Sequence, residues 1–296
     1  IRNRRTAIEP NLLPKRDLDD YYTYTPTDLE TDAYNELMLY IQQSVAGGKS
    51  ENIAYCRALC HAFASSPDAT LNLLDVRWQA MMTNTESRSV EEHDFRLLWM
   101  QSPRHEYARL QALVNVLHPF TDETRLWQNA YLSVQRWRVA SQAYLTNRKK
   151  QAHHPTHDKQ QRLGQILAAI KDTLDANNDS KVLVFTGWSQ TLAILDDLLR
   201  STFGSRTIAT FHVGIQDSDA LEAEADRFQS DPACRVILCD ELGGEGRNFQ
   251  IASVLIHADV PWSPARIEQR IGRIDRLGRT GVVTSIIPFA HNQIES

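Results

Sequence analysis

Two stretches in the C-terminal part of the chain combine residue types that suit the binding of phosphate groups. The first is a glycine-rich segment at residues 243–248, GGEGRN, which follows an apolar run. Glycines after a strand allow backbone N–H groups to approach a phosphate or ribose closely. The second, at residues 269–276, is QRIGRIDR, whose planar arginine side chains offer several donors to negative charge. Together they indicate a site that handles phosphate.

The arginine-dense stretch also has the period of an amphipathic helix. One face is apolar and is formed by Ile267, Ile271, Ile274 and Leu277. The arginines fall on the remaining faces, at Arg266, Arg270, Arg273, Arg276 and Arg279. A solvated surface helix is the ordinary interpretation, but this one carries no lysine, and Gly272 inside it costs about 1 kcal/mol relative to alanine. We therefore predict a functional helix in which Gly272 permits a close approach.

Both stretches resemble the C-terminal motor lobe of superfamily 2 helicases, and within them the Swi/Snf-like ATPases. The glycine-rich segment is similar to the family's motif V and matches it at Gly243, Gly244, Gly246 and Asn248. The arginine-dense stretch is similar to motif VI and matches it at Gln269, Arg273 and Arg276. The two motifs stand in the family's order and spacing, and their variants resemble the bacterial RapA-like branch most.

The resemblance implies ATP as the cofactor, bound between two RecA-like lobes, with Mg²⁺ held by an N-terminal lobe of the same polypeptide. It makes Arg273 and Arg276 the catalytic arginines, which meet the charge that develops during phosphoryl transfer. The nucleotide-facing residues would then be Gly244, Glu245, Gly246, Asn248 and Gln269. Cycles of lobe closure would move the protein along duplex DNA, an expectation that rests on family analogy.

Two further segments are similar to parts of the family that face nucleic acid. Residues 181–188, KVLVFTGW, resemble motif IV, so Thr186 and Trp188 become candidates for contact with DNA. Residues 211–214, FHVG, resemble the next such turn and add His212. For Thr186 and Trp188 an equally good interpretation is structural, with Thr186 or Ser189 capping the following helix and Trp188 in the core. The sequence leaves both interpretations open.

Composition limits the class of protein. The 296 residues are 42% hydrophobic and 23% charged, as in an ordinary globular protein, and the net charge of -5 makes any nucleic-acid site a local patch. The four cysteines form neither a disulfide framework nor a metal-ligand pattern, and the three histidines at positions 153, 154 and 157 indicate a linker. The sequence contains no apolar run of membrane-spanning length and no signal peptide, so we expect a cytoplasmic protein. Because it begins without methionine, we expect an excised part of a longer chain.

The order of patterns predicts two domains, 1–155 and 156–296. Residues 1–30 read as a polar connector with short extended pieces, and residues 28–150 read as helices, with their tryptophans in the core. After residue 155, short continuous apolar strands alternate with helices, one of which has a predicted capping pair at Asp219 and Glu222. This alternation predicts an α/β fold, a RecA-like parallel sheet flanked by helices and preceded by a mostly helical segment.

The chain contains no ATP-binding P-loop. Residues 47–50, GGKS, imitate the end of one, but Gln43 stands where the first glycine is needed and the preceding pattern is helical, so we predict a turn between helices. We therefore expect this chain alone to be inactive as an ATPase. The alternative function is a non-catalytic scaffold or protein-interaction module with a degenerate helicase lobe. The intact arginine pair favours the motor.

Overall fold

The computed structural model describes most of the chain: residues 15–19, 22–82, 117–150, 160–212, 214–215, 217–240, 248–261, 264–275, 279 and 281–290. The chain forms two compact units. One comprises Ile1–Thr25 and Gln151–Ser296, and the other Pro26–Lys150. The predicted domain division at residue 155 stays a prediction, because residues 151–159 lie outside the described part.

The helical unit contains four described helices: α1 Asp28–Val45, α2 Ser50–Phe63, α3 Pro67–Met82 and α4 Glu123–Lys150. Helix α4 packs along α1 and α3. Helix α1 begins where Thr27 accepts a hydrogen bond from the Glu30 N–H, and it ends before a turn in which Gly48 has a φ of +66°. The GGKS segment is therefore a turn between α1 and α2, as predicted, and not a P-loop.

The core of the helical unit is rich in aromatic residues, as the sequence predicted. Trp127 and Trp137 are buried. Trp127 stacks between Trp78 and Tyr131, with ring centroids 4.4 and 4.7 Å away, and donates its indole N–H to the Leu74 carbonyl at 2.9 Å. Stacked aromatic rings that also satisfy their polar atom belong to packing. Residues 83–116, which also belong to the predicted helical stretch, lie outside the described residues.

The second unit is built on a six-stranded sheet in which every described pairing is parallel. The strands lie in the order β1-β7-β6-β3-β5-β4. Their bounds are β1 Lys15–Asp19, β3 Val182–Phe185, β4 Ile208–Phe211, β5 Val236–Cys239, β6 Val254–His257 and β7 Val282–Ile286. The four residues of each central strand are buried, as expected for a parallel sheet covered on both faces. The predicted RecA-like α/β fold is confirmed.

Four helices accompany this sheet: α5 Arg162–Ala176, α6 Ser189–Phe203, α7 Ser218–Ser230 and α8 Pro264–Ile271. Helices α6 and α7 pack on β4 and β5, and α5 packs on β6. The predicted capping pair of α7 is wrong. The helix begins at Ser218, and Asp217 is its N-cap residue, whose carboxylate accepts the Asp219 N–H at 2.9 Å.

Strand β1 lies at one edge of the sheet and pairs in parallel with β7, with Lys15 opposite Val282 and Asp19 opposite Ile286. A short second sheet pairs β2, Thr23–Tyr24, with β8, Phe289–Ala290. The sequence analysis treated this polar N-terminal segment as a connector, since KRDLD has no apolar run. Backbone pairing to the edge of an existing sheet does not require one. Among the described residues, the helices are too short or too polar to cross a membrane.

Candidate active site

Two of the predicted site residues, Thr186 and His212, lie at one edge of the sheet because its strands are parallel. The carboxyl ends of β4, β5, β3 and β6 stand side by side and are followed by His212, Asp240, Thr186 and Asp259, respectively. Backbone bonds continue past the strands: the Thr186 N–H donates to the Cys239 carbonyl at 3.1 Å, and the Ala258 N–H donates to the Phe185 carbonyl at 2.8 Å. This is the edge at which open parallel sheets bind ligands.

The two phosphate-type motifs are tied together through their backbones. Asn248 is exposed at the end of the glycine-rich segment, and its side chain accepts the Gln250 N–H at 3.0 Å. The next residue, Phe249, is fully buried and donates its N–H to the carbonyl of Arg273 at 3.0 Å. Its ring meets Phe211 and Phe228 edge to face. Asn248 and Arg273 are therefore held near one another by the buried Phe249.

Arg279 makes a second tie between the same two motifs. Its guanidinium donates to the carbonyls of Gln250, Ala252 and Ile274, the last two at 2.6 and 3.2 Å. The first two carbonyls follow the glycine-rich segment and the third belongs to the arginine-dense stretch. Burial lowers the pKa of Arg279, against a smaller opposing effect of Asp275. The sequence offered no signal for this role, since Arg279 lies outside the matched arginine pair.

Helix α8 is shorter than the period predicted. It ends at Ile271, and the chain continues in turns in which Arg273 and Ile274 donate their N–H groups three residues back, to Arg270 and Ile271. A side chain at Gly272 would place its Cβ 3.1 Å from the Glu268 carbonyl oxygen, tighter than ordinary contact. The prediction of one continuous helix to Leu277 is therefore wrong at its end. Tightening of the last turn is a common way for helices to finish.

The carboxylate of Asp259 lies at the centre of a buried network. It accepts the Thr186 hydroxyl at 2.5 Å and the Gly187 N–H at 2.9 and 3.0 Å. Arg270 of helix α8 donates to the Asp259 carbonyl at 2.7 Å and to its carboxylate at 3.3 Å. The side chains of Asp259 and Arg270 are both 0% exposed. A buried charge pair is stable only when its remaining polar atoms are also satisfied, which Thr186 and Gly187 help to do.

Two aromatic neighbours complete the environment of Arg270. Its guanidinium carbon lies 5.4 Å from the centroid of the Phe185 ring. His257, the last residue of β6, is fully buried, and its Nε2 lies 3.1 Å from the Ser285 hydroxyl. Burial, and to a lesser extent the positive charge of Arg270, lower the pKa of His257 to about 3, whereas Asp259 acts in the opposite direction. His257 is therefore a neutral imidazole at physiological pH.

The predicted nucleic-acid residues occupy different environments. Thr186 is fully buried, with its hydroxyl donating to Asp259 and accepting the Trp188 N–H at 3.3 Å. Trp188 is 4% exposed and is the N-cap residue of α6, which has no side-chain cap there. His212 is half-buried and accepts the Gly214 N–H at 3.1 Å. Only His212 of the three has a substantially accessible side chain, and the assignment of all three to DNA contact stays a prediction.

The predicted nucleotide residues are partly described. Gln269 is exposed on α8, Arg273 is half-buried just after it, and Asn248 is exposed beside it. The remaining predicted members lie outside the described residues: Gly244, Glu245, Gly246 and Arg276. Sequence reasoning missed Asp259 and assigned Arg270 only to a polar helix face. The available signal for Asp259 was a carboxylate two residues after the end of a buried strand, at the edge where sites form.

Comparison with known proteins identifies the lobe. Residues 158–278 match the model of the helicase conserved C-terminal domain. The RNA polymerase-associated protein RapA of Pectobacterium carotovorum is 37% identical over 123 residues, which is 42% of this chain and 13% of that protein. RapA of Photobacterium profundum is 40% identical over 119 residues, 40% of this chain and 12% of that protein. The matched segment thus spans about an eighth of the length of these relatives.

A solved structure supports the fold over a longer range. The C-terminal part of the Fun30 ATPase domain aligns with a TM-score of 0.51 at 16% identity, covering 96% of this chain and 88% of that one. Identity that low shows shared architecture alone. The predicted resemblance to the bacterial RapA-like branch is confirmed in the lobe by the sequence matches. Residues 158–278 of this chain match the helicase conserved C-terminal domain, in agreement with the predicted C-terminal helicase lobe.

Proposed function

We propose that the chain is the C-terminal half of an ATP-dependent DNA translocase of the cytoplasm, working with an N-terminal RecA-like lobe of the same polypeptide. The observation that carries the proposal is the bond from the Phe249 N–H to the Arg273 carbonyl, which joins the glycine-rich segment to the arginine-dense stretch at the carboxyl edge of the sheet. This is where a parallel α/β sheet receives its ligand.

The residues at this edge fit the triphosphate of ATP. Arg273 and Arg276 supply positive charge with planar donors, which suits a γ-phosphate whose charge spreads during transfer. Gln269 and Asn248 have exposed amide side chains, which would face the nucleotide. Gly244, Glu245 and Gly246 would shape the turn that faces the nucleotide. Mg²⁺ and the P-loop lysine would come from the N-terminal lobe, and they supply most of the charge neutralisation.

The main test replaces the two arginines in the intact protein. We expect Arg273→Ala and Arg276→Ala each to lower ATP turnover by about 10³–10⁵ while ATP affinity changes little, because an arginine finger meets charge that grows in the transition state. Steady-state ATPase with saturating duplex DNA, together with fluorescence titration of nucleotide, measures both quantities. Arg206→Ala is the matched control, since its side chain is 81% exposed in the same lobe.

The alternative function, a non-catalytic scaffold, makes the opposite prediction. A degenerate lobe requires neither arginine, so near-normal partner binding with no ATPase in the unaltered intact protein would favour it. A defect confined to ATP affinity in both variants would remove Arg273 and Arg276 from catalysis. The 296-residue chain by itself should release no phosphate above the level of its Arg276→Ala variant, because it contains no P-loop.

The proposed DNA track has its own test. Because Trp188 is buried, Trp188→Ala would first destabilise the lobe by about 3–5 kcal/mol and would confuse a binding assay. His212 is accessible, so His212→Ala should weaken duplex binding severalfold without unfolding the lobe. Titrations from about 50 to 200 mM salt should give a shallow slope, since few phosphates are contacted. If His212→Ala binds duplex DNA as tightly as the unaltered protein at every salt concentration in this range, His212 does not contact the DNA.

A further inference from the structure

One carboxylate holds together three elements of the lobe. Asp259 follows β6, accepts hydrogen bonds from Thr186 and Gly187 after β3, and is bound by Arg270 near the end of α8. Its two oxygens thereby receive a hydroxyl, a backbone N–H and a guanidinium. Each donor comes from a segment that the sequence analysis had linked to nucleic acid or to nucleotide.

Helix α8 depends on such anchoring. It has eight residues, and an isolated helix of that length is unstable in water, because nucleation is costly and few bonds repay it. Of its eight residues only Arg270 is fully buried, so the guanidinium is its deepest attachment. Three residues later, Arg273 is fixed at its carbonyl by Phe249. The chain between these two attachments contains Gly272 and therefore bends easily.

We propose that Asp259 is a positioning residue for catalysis: through Arg270 it sets the place of Arg273, and through Thr186 it links that place to the end of β3. The inference rests on the proposed function, in which Arg273 faces ATP. Loss of the carboxylate charge leaves Arg273 with its carbonyl anchor but releases the helix that precedes it. Misplacement of a catalytic group by about 1 Å can cost on the order of a hundredfold in rate.

Kinetics of the intact protein test the positioning role. Asp259→Asn keeps the shape but removes the charge, and Thr186→Val removes only the hydroxyl. We expect both to lower kcat at least about tenfold while KM for ATP changes less than about threefold, the pattern of a group that acts in the transition state. Thr186→Ser restores the hydroxyl and should recover most of kcat. Thr210→Val is the control, a similarly buried threonine on β4 outside the network.

A merely structural role would instead lower the amount of folded protein, with kcat per folded molecule unchanged in every variant, and that result would overturn the proposal. If Asp259→Asn does not fold, the Thr186→Val and Thr186→Ser pair decides the question alone. Failure of Thr186→Ser to recover turnover lost in Thr186→Val would also contradict it.

Hydrogen exchange on the 296-residue chain tests the inference without ATP. In Asp259→Asn, amides of residues 266–274 should exchange at least about tenfold faster than in the unaltered chain, whereas those of α7 should not change. Equal exchange in 266–274 would overturn the positioning role even if the intact protein is an ATPase. Faster exchange there in a protein without ATPase activity would instead leave the anchoring intact and contradict the proposed function.

Discussion

In the described part of each compact unit an arginine–carboxylate pair is buried, and the two pairs differ in what surrounds them. In the helical unit, Arg77 of α3 binds Glu123 of α4 through two bonds, at 2.7 and 3.0 Å, and Tyr40 adds its hydroxyl at 3.3 Å. In the lobe, Arg270 donates a longer bond of 3.3 Å to the Asp259 carboxylate and a bond of 2.7 Å to the backbone carbonyl of Asp259.

The difference shows how the same chemistry serves two purposes. Arg77 and Glu123 form a parallel fork of two bonds that fastens one helix to the next, and Tyr40 adds a longer bond to the same carboxylate. Asp259 accepts bonds from Arg270, Thr186 and Gly187, and so it joins strand ends to a helix at the edge where ligands bind. A forked pair between helices stabilises packing, whereas a carboxylate shared among strand ends and a helix fixes geometry.

The largest expected effect comes from removing either arginine. Arg77→Met and Arg270→Met each leave a buried carboxylate without its charge partner, which costs about 3–5 kcal/mol of unfolding free energy. Denaturant unfolding of the 296-residue chain measures this loss. In the intact protein, Arg270→Met should also reduce turnover per folded molecule, because Arg270 lies three residues before Arg273, whereas Arg77→Met, in the helical unit, should not.

Replacing both partners of a pair by apolar residues should then distinguish the two pairs by how much unfolding free energy is recovered. Arg77→Met combined with Glu123→Leu should recover much of the lost stability, since a well-packed apolar pair often equals a buried ion pair, although the Tyr40 hydroxyl then loses an acceptor. Arg270→Met combined with Asp259→Leu should recover less, because the Thr186 hydroxyl and the Gly187 N–H both lose their acceptor. Equal recovery in both units would contradict the distinction between the forked pair and the shared carboxylate.

The sequence predicted the regular part of the lobe well. The four-residue strands β3, β4, β5 and β6 are short and apolar, as the sequence predicted for the part after residue 155. Short runs of buried β-branched residues flanked by polar turns leave few alternatives. The edge strand β1 was not predicted because its stability comes from backbone pairing with β7, and no periodicity records that.

The site was predictable only where a motif specified it. The N–H of Phe249, next to Asn248, bonds to the Arg273 carbonyl, and the assignment of Asn248 and Arg273 to the nucleotide stays a prediction. Arg270 was assigned to a polar face, because hydrophobic periodicity counts every arginine as exposed and carries no information about a partner eleven residues earlier. Burial of a charge depends on that partner, so only tertiary structure reveals it.

Arg279 gives an intermediate effect. Arg279→Ala leaves the carbonyls of Gln250, Ala252 and Ile274 without this donor, and an unsatisfied buried group costs about 1–3 kcal/mol. We expect a loss in that range by denaturant unfolding. Arg125→Ala in the helical unit is the control, since its ion pair with Asp122 is exposed and should change stability by less than about 0.5 kcal/mol. Equal losses would show that Arg279 does not clamp the two motifs.

The smallest effect, taken per pH unit, is a dependence of the unfolding free energy on pH. This dependence has opposite signs in the two units. Burial lowers the pKa of His257 to about 3, from an ordinary value of 6.5. Between these two pH values the histidine is protonated in the unfolded lobe and neutral in the folded lobe. The contribution of His257 is complete above pH 6.5 and is lost as the pH falls towards 3. In the helical unit, burial raises the pKa values of Tyr40 and Tyr55 well above 10.0, so their contribution is complete below pH 10 and is lost as the pH rises above it.

Unfolding by denaturant at pH 7, 6, 5 and 4 tests the acid side. One proton taken up on unfolding changes stability by about 1.4 kcal/mol per pH unit, so His257 should contribute a slope approaching that value below pH 6. Carboxylates also titrate near pH 4, and His257→Asn isolates the histidine because it keeps a polar side chain near Ser285 and removes the titration. The variant should lose less stability than the unaltered chain between pH 6 and 4. Parallel curves of unfolding free energy against pH for the two proteins would mean that His257 is protonated in the folded lobe despite its burial beside Arg270. That result would contradict the opposite pH dependence expected of the two units.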